Sequence, residues 1–192
     1  MVRVKAYPLD VLDKTGSVKI AEQIEREFGP VDILVNNAGI SQVMPFALIE
    51  EEDWDRMMDV NVKGMFLVTK AFVRGMIRRK KGAVVNLGSL AGMRVLEVPV
   101  HYATAKSAVV GFTLSLAREL SRYNIRVNAV VPGLLDSGVS SNVPDKQRED
   151  YSKHCTVGRA GKPGEVAELV AFLASDRAAY INAQAIRVDG GV

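Results

Sequence analysis

Short apolar runs alternate along the chain with segments whose apolar residues recur at helical spacing. Residues 31–35, 83–87, 125–131 and 185–188 are brief, rich in valine and isoleucine, and read as strands. Residues 17–28 carry Val18, Ala21, Ile24 and Phe28 near helical spacing and are stopped by Gly29-Pro30. Residues 51–80 read as one long helix with Trp54, Met57, Met58, Val62, Met65 and Phe66 on its buried side. Residues 102–122 and 164–174 read as two more helices. Strands alternating with helices predict an α/β fold, a doubly wound parallel sheet with helices on both faces. The stretch 134–162 is polar and irregular, which suits a mobile lid.

Composition narrows the picture little. A chain of 192 residues is the size of one domain, and 48% hydrophobic with 24% charged residues is ordinary for a globular protein. The net charge of +3 is scattered, and its one basic run, Arg78-Arg-Lys-Lys81, falls where a helix C-terminus favours cations. We therefore expect no nucleic-acid partner. No stretch approaches the ~18–20 continuous apolar residues of a membrane span, and no signal peptide is visible. The one cysteine, Cys155, cannot pair within the chain, which fits a reducing cytoplasm. His154-Cys155 lacks companion ligands at metal-site spacing, so no metal is expected.

The candidate chemistry lies in His101-Tyr-Ala-Thr-Ala-Lys106. Four residues apart on a helix, Tyr102 and Lys106 share a face. An ammonium near a phenol favours the phenolate and draws its pKa from ~10 toward working pH, as a general acid or base requires. Ser89, leaving the end of a strand, is placed to hold a substrate oxygen beside that phenol. Together these residues point to carbonyl–alcohol chemistry. His101 points about 100° away from its neighbour and reads as a pocket wall or a helix-start residue.

Four further segments accompany the pair: Asp32-Ile-Leu-Val-Asn-Asn-Ala-Gly39, Asn61 in Asn-Val-Lys-Gly64, Asn86-Leu-Gly-Ser-Leu-Ala-Gly92, and Pro132-Gly133 after a strand. In order and spacing they resemble the short-chain dehydrogenase/reductase family, most closely its 3-oxoacyl-[acyl-carrier-protein] reductase type, from about residue 3 to the C-terminus. The resemblance implies a Rossmann-like sheet and hydride transfer between a nicotinamide cofactor and a ketone or secondary alcohol, with a 3-oxoacyl thioester as the candidate substrate. It assigns Ser89 to the substrate carbonyl and Tyr102 to proton transfer. Lys106 would lower the phenol's pKa and bond the nicotinamide ribose, and Asn61 would distort its helix and hold a relay water. A solvent-facing Asn61 is the alternative. Cofactor contacts are expected from Asp10 and Val11 near adenine, Asn36, Ala38 and Gly39 near the adenosine ribose, and Pro132, Gly133 and Leu135 beside the nicotinamide. Ser137 stands where the family has threonine. Asn37 is expected to tie strands together, and Asp10 reads equally as a solvated turn residue. Gly138-Val139 departs from the family's acidic–apolar pair. Residues 159–165 look like the family's turn into its last helix. Relatives form tetramers through the two long helices and the last strand. Phe72, Phe112 and Leu116 would face outward, or would pack in the core.

The family's glycine-rich phosphate turn is absent. Residues 2–11 look like the family's third strand, so the fold is expected to be N-terminally incomplete by two strands and two helices. Either a preceding segment belongs to the protein, or the chain is a proteolysed or truncated product, or the third strand slides in beside residues 31–35. A catalytically inactive remnant or partner subunit is the second functional reading. NADP(H) is favoured by the subfamily likeness and NAD(H) stays open, since the positions that choose between them are not in this chain. The direction of reaction is not written in these residues.

Overall fold

A computed structural model describes residues 3–192. Four parallel strands stand side by side in chain order: β1 (Ile33–Asn36), β2 (Gly82–Leu87), β3 (Ile125–Pro132) and β4 (Ala185–Val188). Six α-helices surround them: α1 (Lys14–Phe28), α2 (Glu51–Met58), α3 (Met65–Arg79), α4 (Val100–Leu120), α5 (Asp145–His154) and α6 (Pro163–Ala174). Alternation along the strands divides the core. Leu34, Val84 and Val127 face α3 and α4, where Phe72, Met76, Ala117 and Leu120 close over them. Val85 and Val130 face the other way and pack against Val166 and Leu173 of α6. This is the doubly wound pattern, with helices on both faces of β2 and β3.

Several expectations are corrected. The long helix is interrupted: residues Asp59–Gly64 form a π-helical turn between α2 and α3. Phe66 points outward (43% exposed), whereas Phe72 lies in the core and Leu116 packs against it; Phe112 is half-buried. The polar stretch 134–162 is not wholly irregular, because it contains α5. Helix α1 starts at Lys14, earlier than its apolar pattern does, since the Asp13 carboxylate caps it by accepting from Gly16 N at 2.8 Å.

The expected strand at residues 2–11 does not form within the described residues, and Val2 lies outside them. Residues 3–10 run along α1 instead. Lys5 and Tyr7 both bond Glu27, and the Arg3 guanidinium lies 4.7 Å over the Phe28 ring. Among the described residues no strand lies between it and β1, so this segment has no ladder to join, and side chains hold it. It does not slide in beside β1. Among the described residues that edge stays free, and Ile33 and Val35, on the face without a helix, are 48% and 41% exposed.

Candidate active site

The C-terminal ends of β1 and β2, the π turn and the first turns of α4 converge on one cleft. Asn61 is buried in the π turn. In such a turn the N–H reaches five residues back, so the carbonyl four residues back is released. The Asn61 side-chain Nδ2 takes that carbonyl, Met57 O, at 3.1 Å and donates to Ile40 O at 3.1 Å, while Ile40 N donates to its Oδ1 at 3.3 Å. The distortion thus locks the π turn to the segment leaving β1. Asn61 is not solvent-facing.

Lys106 is buried, and its Nζ donates to Leu87 O, the last carbonyl of β2, at 3.0 Å. It stands 5.8 Å from the centre of the Tyr102 ring. Two glycines allow the convergence. A Cβ on Gly39 would lie 2.7 Å from Asn61 Oδ1 and 3.5 Å from Lys106 Nζ. One on Gly92 would lie 2.5 Å from the Lys106 carbonyl carbon, so the short 3-10 turn Leu90–Gly92 rests directly on the α4 backbone. Ser89 caps that turn through Ala91 N at 3.2 Å, and Ser107 Oγ fastens it by donating to Gly92 O at 2.9 Å. Ser89 is thereby pinned to the helix that carries Tyr102 and Lys106.

The electrostatics differ from the expectation of a lowered phenol. Burial raises Tyr102 above its ordinary value, and the Ser89 hydroxyl draws it part of the way back. Burial pulls Lys106 down to about 8. Desolvation pushes both groups toward their neutral forms. At neutral pH the phenol holds its proton and Lys106 is still largely charged.

The other expected residues fall as follows. The tying role expected of Asn37 falls to Asn36. Asn36 ties the layers, its Nδ2 donating to Asn86 Oδ1 and Thr69 Oγ1, both at 2.8 Å, while Asn37 and Ala38 are exposed at the end of β1. Asn86 continues the buried network to Thr113 of α4 at 2.9 Å. Its motif position signalled a strand end and not this role. Asp10 accepts from Leu12 N at 2.9 Å in an exposed turn, and Val11 packs against Gly64 of the π turn. Pro132 ends β3, and Gly133 N donates to Val188 O at 2.9 Å. The space a Gly133 side chain would need is filled by the Tyr151 phenol of α5, which donates to Asp189 O at 2.7 Å. Leu135 bridges to Gly161, and its carbonyl accepts from Arg148 at 3.4 Å. Ser137 Oγ donates to the Asp136 carboxylate at 3.0 Å.

A nicotinamide dinucleotide would find donors at one end of this site. Lys106, Tyr102 and Ser89 carry the donors for the reacting ring and its ribose, whereas the Gly133 N–H is taken by Val188 O and the space beside its Cα by the Tyr151 phenol. The diphosphate end is disfavoured at four helix N-termini. The N-terminus of α1 is taken by the Asp13 carboxylate, and the first turns of α2, α5 and α6 carry acidic residues. Among the described residues no group of three or more His, Cys, Asp or Glu is placed to hold a metal, and no helix is long and apolar enough to cross a membrane.

Comparison with known proteins agrees with this geometry. The family model described as Enoyl-(Acyl carrier protein) reductase matches residues 1–192. The 3-oxoacyl-[acyl-carrier-protein] reductase FabG of Thermotoga maritima is 40% identical over 190 residues, 99% of this chain and 77% of that protein. The Escherichia coli FabG is 37% identical over 188 residues, covering 98% and 77%. Nodulation protein G of Rhizobium meliloti is 37% identical over 190 residues, covering 99% and 78%. Among solved structures, a gluconate 5-dehydrogenase from Burkholderia cenocepacia in complex with NADP and tartrate superposes with a TM-score of 0.90 at 31% identity, covering 95% of this chain and 72% of that one. Fold, motifs and relatives lead to one conclusion: the chain belongs to the short-chain dehydrogenase/reductase family.

Proposed function

We propose that the protein is an NADP(H)-dependent reductase of a ketone, with a 3-oxoacyl thioester as its substrate, and that Tyr102, Lys106, Ser89 and Asn61 form its active site. The observation that carries the reading is the pinning of Ser89 onto the α4 turn that bears Tyr102 and Lys106. When bound, the reduced nicotinamide supplies the hydride that converts the carbonyl carbon to a carbinol. Ser89 donates to the carbonyl oxygen and orients it. Tyr102, kept protonated by burial, transfers its proton to the oxygen as negative charge develops there. The Lys106 ammonium then faces a phenolate and stabilises it. Asn61 holds the π turn and the segment after β1 against Lys106. Asn37, Ala38, Gly39, Pro132, Gly133 and Leu135 line the cofactor side of the cleft, and Asp10, Val11 and Ser137 its margins. Residues 134–162 cover the substrate.

The named activities of the FabG relatives support the acyl substrate, and the NADP in the Burkholderia enzyme supports the phosphorylated cofactor over NAD(H). Nothing in these relatives supports an inactive remnant. We further propose a cytoplasmic homo-oligomer, a tetramer, through the outer sides of α3 and α4, where Phe66 and Leu114 are each 43% exposed; a monomeric mass by light scattering contradicts this.

The test follows NADPH oxidation by absorbance with acetoacetyl thioester as substrate. The protein is expected to turn over, and Ser89→Ala to lose on the order of 10²-fold in kcat, the scale of one donor to a developing oxyanion. Turnover with sugar acids but not with the thioester overturns the substrate. A Ser89→Ala variant with unchanged kcat overturns the assignment of that hydroxyl.

A further inference from the structure

Three consecutive residues between β1 and α2 each bond a different part of the site. Ile40 closes on the Asn61 side chain through both its N–H and its carbonyl. Ser41 Oγ donates to Val139 O at 2.9 Å, in the stretch 134–162. Gln42 Nε2 donates to the Asp53 carboxylate in the first turn of α2 at 2.9 Å, and its Oε1 faces His101 Nε2 at 3.4 Å. His101 immediately precedes Tyr102 and is 0% exposed.

The chemistry of the donors sets the direction of this chain. A carboxylate only accepts, so Gln42 must turn its amide N–H to Asp53 and leave its carbonyl to His101. A carbonyl also only accepts, so the imidazole must donate through Nε2. In the neutral ring Nδ1 is then a bare acceptor, and it has no partner among the described residues. Burial holds the ring's pKa below its ordinary value, with Asp53 pulling the other way, so the ring stays neutral. A ring so enclosed, with its one proton committed to Gln42, is not a second acid for the reaction. It is an anchor for the helix turn on which Tyr102 sits.

We propose that Gln42 is a positioning residue: by bridging Asp53 and His101 it fixes the first turn of α4, and with it the Tyr102 phenol, against α2 and the Ile40–Asn61 clamp. The proposal rests on Tyr102 being the proton donor. It requires no contact between Gln42 and substrate.

The test compares the protein with its Gln42→Ala and Asp53→Asn variants, using nitrogen-15 labelled histidine. His154 is removed as His154→Gln so that one imidazole remains. In the parent, the ring is expected as a single neutral tautomer protonated at Nε2. Asp53→Asn keeps the shape but lets the Gln42 amide turn either way, so a mixture of tautomers is expected, and it serves should Gln42→Ala fail to fold. Both variants are expected to speed hydrogen exchange in the first turn of α4. With NADPH and acetoacetyl thioester, both should lower kcat about tenfold or more, as misplacement of a reacting group does, with KM changed less than about twofold. A parent ring protonated at Nδ1 overturns the proposal. So does an Asp53→Asn or Gln42→Ala variant whose kcat and α4 exchange match the parent. The tautomer and exchange readings need no turnover, so loss of the proposed activity and failure of this inference remain distinguishable.

Discussion

Lys106 shows how a residue proposed for function is held at a cost to stability. Its ammonium is buried against Leu87 O, with its pKa drawn down to about 8 by burial. Below that pH the folded protein bears the full desolvation penalty. From there to the ordinary lysine value of 10.5 the unfolded chain still binds the proton and the folded one does not, so stability rises with pH. The shift is on the order of 3 kcal/mol at ~1.4 kcal/mol per unit. Tyr102, raised by burial, acts oppositely only above its ordinary value near 10. In urea titrations from pH 8 to 10, the parent is therefore expected to gain stability relative to Lys106→Met. Parallel pH profiles for the two proteins count against a desolvated Lys106. The same titration removes the charge that steadies the phenolate, so reduction should decline as pH rises through about 8.

The nearness of Lys106 to Tyr102 was legible from helix geometry, and that of Ser89 from the motifs that carry the family resemblance. The state of the phenol was not. Spacing reports which groups lie near one another, whereas the cost of burying them depends on elements far away in the chain. The tie made by Asn36 where Asn37 was expected has a similar cause. Adjacent asparagines at a strand end differ only in which face each points to, and one residue of register decides it.

At the scale of elements, the π turn and the glycine contacts position the site. The strands and helices were readable from periodicity, since apolar spacing records which face is buried. Within residues 51–80 that periodicity stays helical, and nothing in it marks the extra residue of the π turn except an asparagine where helices disfavour one. Helix α5 was missed because it buries none of its residues, so it has no apolar stripe to read. The strand expected at residues 2–11 was misread for the opposite reason: its pattern is strand-like, but a ladder partner decides whether a strand forms. The 3-10 turn Leu90–Gly92 lies on α4 only because Gly92 has no Cβ. Gly92→Ala would bring a methyl within 2.5 Å of backbone that cannot yield cheaply. We expect this substitution to cost about 1–3 kcal/mol by overpacking and to lower kcat by moving Ser89. Thermal unfolding together with the NADPH assay checks both, and a Gly92→Ala variant with parental stability and turnover contradicts the close approach.

Across the whole molecule, the sheet of the described residues ends in a free edge at β1 with Ile33 and Val35 uncovered, an arrangement that parallel sheets ordinarily bury. The proposed site for the reacting half of a dinucleotide is Lys106, Tyr102 and Ser89, whereas the N-termini of α1, α2, α5 and α6 do not suit its diphosphate half. What the described residues do possess is a single focus: the segment leaving β1 through Gly39, β2 through Leu87, the π turn through Asn61 and α4 through Lys106 all meet at one place. The central claim is that this focus exists to hand a proton from Tyr102 to a carbonyl oxygen. The most direct measurement is kcat for NADPH-dependent reduction of acetoacetyl thioester by the parent and by Tyr102→Phe, which deletes only the hydroxyl. A loss of 10²-fold or more, the usual contribution of a positioned general acid, with thermal stability within about 1 kcal/mol of the parent, is the expected result. Turnover by Tyr102→Phe equal to that of the parent would contradict the account.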